Sequence, residues 1–154
     1  MNQRDLRIKL LGELLYVERR LGDAVLRDLC AAVHDEELSN LLETHLAETK
    51  DHAERVETAF RRMQVAPTSN RSRVFESAVT EHDATAPSIA DTRLEDIFHA
   101  QAALHTEQWE IASYRTLLHL LPDDAAELLR PSFEEEERAA TRLDAAIARL
   151  VDAG

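Results

Sequence analysis

Between Leu38 and Met63, steps of three and four residues trace one helical line: Leu38, Leu41, His45, Glu48, His52, Val56, Ala59 and Met63. Such spacing puts every member on one face of an α-helix, the face that packs against other helices. The line is apolar at both ends, but two imidazoles and a carboxylate occupy its middle. Burying such groups is costly unless they are paired, hydrogen-bonded or bound to a metal. Neighbouring helices must therefore answer them, either by ordinary pairing or around a cation. This requirement constrains the fold of the whole chain.

Composition narrows the possibilities. The chain has 154 residues, with 3 Gly, 4 Pro, 44% hydrophobic and 31% charged residues. So few turn formers and aromatics indicate an all-helical protein, and the length suits one domain, residues 1–154, with a real core. A formal net charge of −12 argues against nucleic acid or an anionic membrane as partner, because both are recognised by basic faces. Cys30 is the single cysteine, so no intramolecular disulfide forms, as suits a reducing cytoplasm. No apolar run has the length of a membrane span and no apolar segment of a signal peptide opens the chain, so the expected location is cytoplasmic. Gly-rich phosphate loops, Ser/His/Asp arrangements and cysteine pairs are lacking, which leaves nucleotide chemistry and nucleophilic catalysis without support.

The periodicity predicts four long helices, over about Asp5–Val33, Asp35–Val65, Thr92–Leu121 and Asp123–Val151. Thr92 and Glu95 read as a capping box, Asp123 as the cap of the last helix, and Pro131 as a bend within it. A brief helix over Ser72–Ala84 interrupts the 66–91 connection. Short loops join the first helix to the second and the third to the fourth, whereas the middle connection is long. That connectivity is ferritin-like: an all-α, antiparallel four-helix bundle with a short extra helix in the crossover between helices 2 and 3.

Each long helix carries a carboxylate on its apolar face: Glu18, Glu48, Glu107 or Glu110, and Glu135 or Glu136. Every candidate falls within about three residues, roughly 5 Å, of the middle of its helix. In an antiparallel bundle the middles share one level, so the carboxylates meet. Facing anions in a low-dielectric core either take up protons or are neutralised by a cation. A di-iron bundle answers with one Glu from each of two helices and Glu-x-x-His from the other two. This chain complies in part, since Glu48 is followed by Asp51 and His52, and the last helix has no histidine. The alternative is a relic site whose carboxylates pair with Arg20, Arg55 or Arg142. His45, one turn from Glu48, reads as a core or supporting histidine. His82, His99, His105 and His119 read as surface groups, Trp109 and Tyr114 as core or interface, and Tyr16 as a group near the centre.

The segments Leu14-Leu15-Tyr16-Val17-Glu18-Arg19-Arg20-Leu21, His45-Leu46-Ala47-Glu48-Thr49, Glu107-Gln108-Trp109-Glu110-Ile111-Ala112-Ser113-Tyr114 and Glu134-Glu135-Glu136-Glu137 resemble the YciE/YciF family of bacterial ferritin-like proteins. The resemblance covers nearly the whole chain in order. It implies a five-helix, dimeric protein linked to stress responses, with a di-metal centre built from Glu18, Glu48, Glu107, Glu110 and a Glu of the last helix. His52 and Gln108 depart from the family's pattern, and so does the short helix at 72–84.

The expected metal ligands are Glu18, Glu48, His52, Glu107, Glu110, Glu135 and Glu136. Mixed carboxylate and imidazole donors suit two divalent ions, iron first, with manganese or zinc as substitutes. An enzyme of this kind would be a di-iron or di-manganese oxidoreductase using oxygen or peroxide. The alternative is a non-enzymatic structural or interaction protein with a degenerate site. The apolar Val74, Phe75 and Val79 of the short helix, with the resemblance, point to a homodimer.

Overall fold

Asn2 opens the first helix, its side chain accepting from the Asp5 amide while the Asp5 carboxylate accepts from the Asn2 amide. This reciprocal cap starts α1 at Gln3, two residues before the sequence-based boundary. The structure, a computed structural model, describes residues 1–154. Its elements are α1 (Gln3–Arg20), a π-helical turn (Leu21–Val25), α2 (Leu26–Ala32), α3 (Glu36–Arg62), α4 (Arg73–Thr85), a 3₁₀ turn (Ala86–Ser88), α5 (Thr92–Leu120) and α6 (Asp123–Asp152). No strand is present.

The first predicted helix is thus two α-helical pieces joined by a π turn, in which the Leu26 amide bonds the Leu21 carbonyl five residues back. The extra residue shifts the buried line. Leu21 is followed inward by Leu26 and Leu29, and the expected Val25 is only half-buried. In α3 the buried residues from Leu38 to Ala59 are Leu38, Leu42, His45, Thr49, His52, Val56 and Ala59, an alternation of four and three, with Phe60 buried beside the last. The line expected from sequence steps first by three, and so brings in Leu41 and Glu48, which are only half-buried.

Helix ends differ from expectation in two places. Asp91, not Thr92, caps α5 by accepting from the Leu94 amide, because its extended backbone lets the short carboxylate reach that donor. Pro122, not Asp123, precedes α6, with no side-chain cap. Gln64, at a φ of 56°, ends α3, and the Val65 amide bonds the Phe60 carbonyl at 3.1 Å while the Gln64 amide bonds that of Arg61. This left-handed terminator turns the chain out of the helix.

Around the core, α1 lies beside α3, α3 beside α6, α6 beside α5, and α5 beside α1. Polar contacts fix the directions. Arg7 at the start of α1 donates to the Leu120 carbonyl at the end of α5, and Arg149 at the end of α6 pairs with Asp35 before α3. Arg93 at the start of α5 donates to the Leu150 carbonyl of α6 at 3.1 Å. Each of these three pairs therefore runs in opposite directions. The crossover from α3 lies over Gly12, whose carbonyl accepts from the Asn70 amide at 2.9 Å. A Cβ at Gly12 would stand 3.1 Å from the Thr68 carbonyl oxygen, so glycine admits this loop. Helix α4 is tied to α1 through Glu76, which accepts from Tyr16 and Arg20 at 2.7 Å each. Tyr16 thereby faces the crossover and not the centre.

Two apolar clusters flank the middle of the long helices. One gathers Leu11, Leu14, Val56, Phe60, Leu117 and Leu129; the other Leu21, Leu26, Leu38, Leu42, Leu143 and Leu150. Between them lies a polar layer.

Candidate metal centre

Heptad-like burial brings His45 and His52 of α3 inward two turns apart, their ring centroids separated by 6.2 Å. Opposite them, α5 contributes Glu107 and Glu110, α6 contributes Glu136, and α1 contributes Glu18 just before the π turn. All six side chains are essentially solvent-free. Their donor atoms form two groups, His45 with Glu107, Glu110 and Glu136, and Glu18 with His52 and Glu136; within each group the atoms lie within 4.8 Å of one another. Glu136 belongs to both and so occupies a bridging place.

Several of the atoms approach to ion-pair distance without hydrogen-bond geometry. His52 Nδ1 is 2.7 Å from Glu136 and 3.5 Å from Glu18, and His45 Nε2 is 3.0 Å from Glu107 and 3.6 Å from Glu136. Yet His52 Nδ1, both ring nitrogens of His45, both oxygens of Glu107, Glu110 and Glu136, and one oxygen of Glu18 make no hydrogen bond. Buried polar atoms in native proteins are nearly always satisfied, so a concentration of unsatisfied ones requires a reason. Convergence on shared points is the geometry a cation needs, because lone pairs then aim at the ion rather than at each other.

Charge supports the same reading. Burial, reinforced by Glu107, raises the Glu136 carboxyl to about 8. Burial likewise lifts Glu110 well above the usual carboxylate range, with Glu136, Glu18 and Glu107 adding to it, and it raises Glu18 despite the opposing pull of His52. For His52 burial disfavours the charged ring, but Glu18 and Glu136 outweigh it and raise the pKa to about 10. His45 is similarly raised against its burial, chiefly by Glu107. The site holds protons wherever no cation neutralises it, so protons and metal compete for the same atoms.

Glu48 and Glu135, both expected as ligands, stand outside these groups and are partly exposed. Only Glu135 backs a histidine within hydrogen-bond distance. Glu135 is 2.8 Å from His52 Nε2 and accepts from Arg55 at 2.7 Å, while Glu48 is 3.6 Å from His45 Nδ1. Carboxylates placed on the far nitrogen of a histidine fix which nitrogen faces the centre. Tyr114, fully buried, donates to the Glu18 carboxylate and meets the His52 ring edge-on at 6.2 Å. His45, a supporting residue by sequence reasoning, belongs to the centre itself. The signal that finds it is the phase of the α3 heptad, which puts Thr49 on the buried line in place of Glu48. Of the arginines considered as partners of a relic site, Arg55 does pair with a candidate carboxylate, Glu135, whereas Arg20 pairs with Glu76 and Arg142 lies at the surface. Of the four histidines assigned to the surface, His105 and His119 are exposed, but His99 is buried and bonded to His82 at 2.9 Å.

A family model described as a domain of unknown function, DUF892, matches residues 2–154. The protein YciF of Escherichia coli K12 is 30% identical over 150 residues, covering 90% of this chain and 86% of YciF. The chain belongs to the DUF892 family, that of YciF. The crystal structure of YciF, described as a stress protein, superposes with a TM-score of 0.91 and 27% identity over 99% of both chains. YcfI of Rhodopseudomonas palustris gives a TM-score of 0.90 at 28% identity over 94% of each chain. A two-domain protein of Anabaena variabilis with DJ-1/ThiJ/PfpI-like and ferritin-like domains gives a TM-score of 0.70 at 18% identity; it matches all of this chain and 39% of that one. The DUF892 fold here is all-α and ferritin-like, and no helix is long and apolar enough to cross a membrane.

Proposed function

We propose that this DUF892 protein is a cytoplasmic, single-domain metal-binding protein holding two divalent ions at the centre of an antiparallel ferritin-like four-helix bundle. The observation that carries the reading is the convergence of six solvent-free ionisable side chains, most of whose donor atoms lack hydrogen bonds. Glu18, His52 and Glu136 would hold one ion, and His45, Glu107, Glu110 and Glu136 the other. Oxygen-rich donors with one imidazole per ion suit iron or manganese, and zinc secondarily. When bound, such ions would supply redox chemistry toward oxygen or peroxide. The chain's own contribution is to keep water out, to orient the His52 ring through Glu135, and to hold Glu18 by the Tyr114 hydroxyl. An association with stress is drawn from the description of YciF. A non-enzymatic structural role is the second reading, since YcfI is described as a candidate structural protein.

Glu18→Ala tests the metal reading. Ligands that bind only the folded state raise stability by mass action, so Mn(II), or Fe(II) without oxygen, should raise the melting temperature of the wild type and raise that of the variant less. The metal-free variant should be as stable as the metal-free wild type or more so, because one buried carboxyl is gone. An equal metal-induced rise in both proteins, with full metal content in the variant, would refute the assignment. A homodimer is also proposed. It rests on Val74, which is 71% exposed on α4, while Phe75 of the same helix is already packed into the core. Light scattering at micromolar concentrations should give the mass of two chains, and a monomer mass would count against it.

A further inference from the structure

Helix α4 is fastened by polar contacts near its ends and reaches the core only through Phe75 and Val79. Near its start Glu76 holds Tyr16 and Arg20 of α1 at 2.7 Å each. Near its end His82 bonds His99 of α5 at 2.9 Å and lies parallel to the Phe98 ring, centroids 5.4 Å apart. Phe75 is the only α4 residue that is buried. Between the two fastenings, α4 bridges a cavity of about 760 Å³ against the π turn, α2 and α5. A helix with an apolar underside ordinarily sinks onto the core, since interiors are close-packed. Here the polar fastenings keep it off, and the space beneath is of the size that holds small organic ligands.

The walls define the occupant. Leu21, Val25, Phe75, Val79, Ala102 and Trp109 line the interior, and the rim carries the acidic Asp28, Glu81, Asp83 and Glu95. Arg20, the one arginine in the lining, is already paired with Glu76, so these four carboxylates disfavour an anion. Glu107 stands in the same wall, so the cavity and the candidate metal centre share a side chain. We propose that this cavity beneath α4 binds a small uncharged apolar molecule, such as a medium-chain alcohol or ketone, and seats it beside the metal ligands. The binding itself does not depend on metal; only the ligand's place next to a reactive centre rests on the metal reading.

Trp109 is the single tryptophan and lines the cavity, which makes it a local reporter. The experiment titrates the protein, both chelator-treated and metal-loaded, with the neutral fluorophore N-phenyl-1-naphthylamine and follows energy transfer from Trp109. The expected result is saturable binding of about one probe per chain, with displacement by 1-decanol and at least about tenfold weaker displacement by decanoate. Ala102→Phe, which fills the space from α5, should weaken probe binding at least about tenfold while leaving the melting temperature and metal content close to wild type. Ala112→Phe, on the exposed side of α5, should leave binding unchanged. Three results would overturn the proposal: no saturable binding, full binding in Ala102→Phe, or binding that vanishes as protein concentration rises, which would mean a second copy fills the cavity. Loss of metal binding in Glu18→Ala with probe binding intact would leave the cavity proposal standing, and full metal content without probe binding would fail it alone.

Discussion

At one end of the long helices Leu11, Leu14, Val56, Phe60 and Leu129 bury apolar side chains against one another, and at the other end Leu21, Leu38, Leu42 and Leu143 do the same. Between them, six residues bury ionisable groups most of whose donor atoms are unsatisfied. The ends follow the rule by which helices fold, removing apolar surface from water at roughly 25 cal/mol per Å². The middle does the opposite, since its carboxyls and imidazoles lose solvation while most of their polar atoms gain no hydrogen bond, Tyr114 on Glu18 and Glu135 on His52 being the exceptions. The contrast teaches that the ends hold the protein together while the middle destabilises the metal-free fold. Such a layer makes physical sense if a cation completes it.

Substitutions at the ends and in the middle should therefore change stability with opposite signs. Leu14→Ala, at a fully buried position, is expected to cost about 2–5 kcal/mol in denaturant unfolding, with or without metal. Glu110→Gln should instead stabilise the metal-free protein at neutral pH. Burial, with Glu136, Glu18 and Glu107 beside it, holds the wild-type carboxyl well above its ordinary range, and the amide carries no such charge. The same substitution should lower metal affinity. Should Glu110→Gln destabilise the metal-free protein as Leu14→Ala does, the division between ends and middle fails.

The pH response sharpens the comparison in smaller steps. Glu136 is raised from 4.5 to about 8 and His52 from 6.5 to about 10, so both bind protons more tightly folded than unfolded. Their contributions are complete below the unfolded values and are lost as pH rises through the folded ones. Metal-free protein should therefore lose about 1.4 kcal/mol per pH unit from roughly pH 5, where Glu136 acts alone. The loss is about twice that between roughly pH 6.5 and 8, where both act, and about 1.4 kcal/mol per pH unit again as His52 continues to about pH 10. Leu14→Ala should shift this curve without changing its slope, and metal loading should flatten it. Melting temperatures across pH 6–9 would show this, and a metal-free protein that gains stability with rising pH would contradict the site's electrostatics.

Much of this is legible in the sequence because helix packing writes itself as spacing. Four long helices, the short one in the crossover and the common level of Glu18, Glu107, Glu110 and Glu136 all emerge from periodicity and length. Phase is harder. Steps of three and four are locally interchangeable, and beginning α3 with a three places Glu48 inward, which makes His45, one turn away, read as supporting. Contact with α1 and α6 selects the opposite order, with Thr49 in place of Glu48 and His45 still inward. The π turn at Leu21–Val25 cannot be read, because one inserted residue changes no composition and only re-aims the side chains beyond it. His99 reads as a surface residue because the helix that covers it, α4, is fastened by contacts far apart in sequence. Glu135 and Glu136 are adjacent alternatives, and only the packing of α6 against α3 decides that Glu136 faces the centre while Glu135 reaches Arg55 and His52.

The most direct measurement of the central claim is metal stoichiometry. Protein stripped with chelator, reloaded with Fe(II) or Mn(II) in the absence of oxygen and freed of excess ions by gel filtration should retain about two ions per chain by elemental analysis. Protons should be released on binding at neutral pH, as raised His45 and His52 give up theirs. A protein that retains no ion, releases no proton and melts no higher with metal than without would contradict the account.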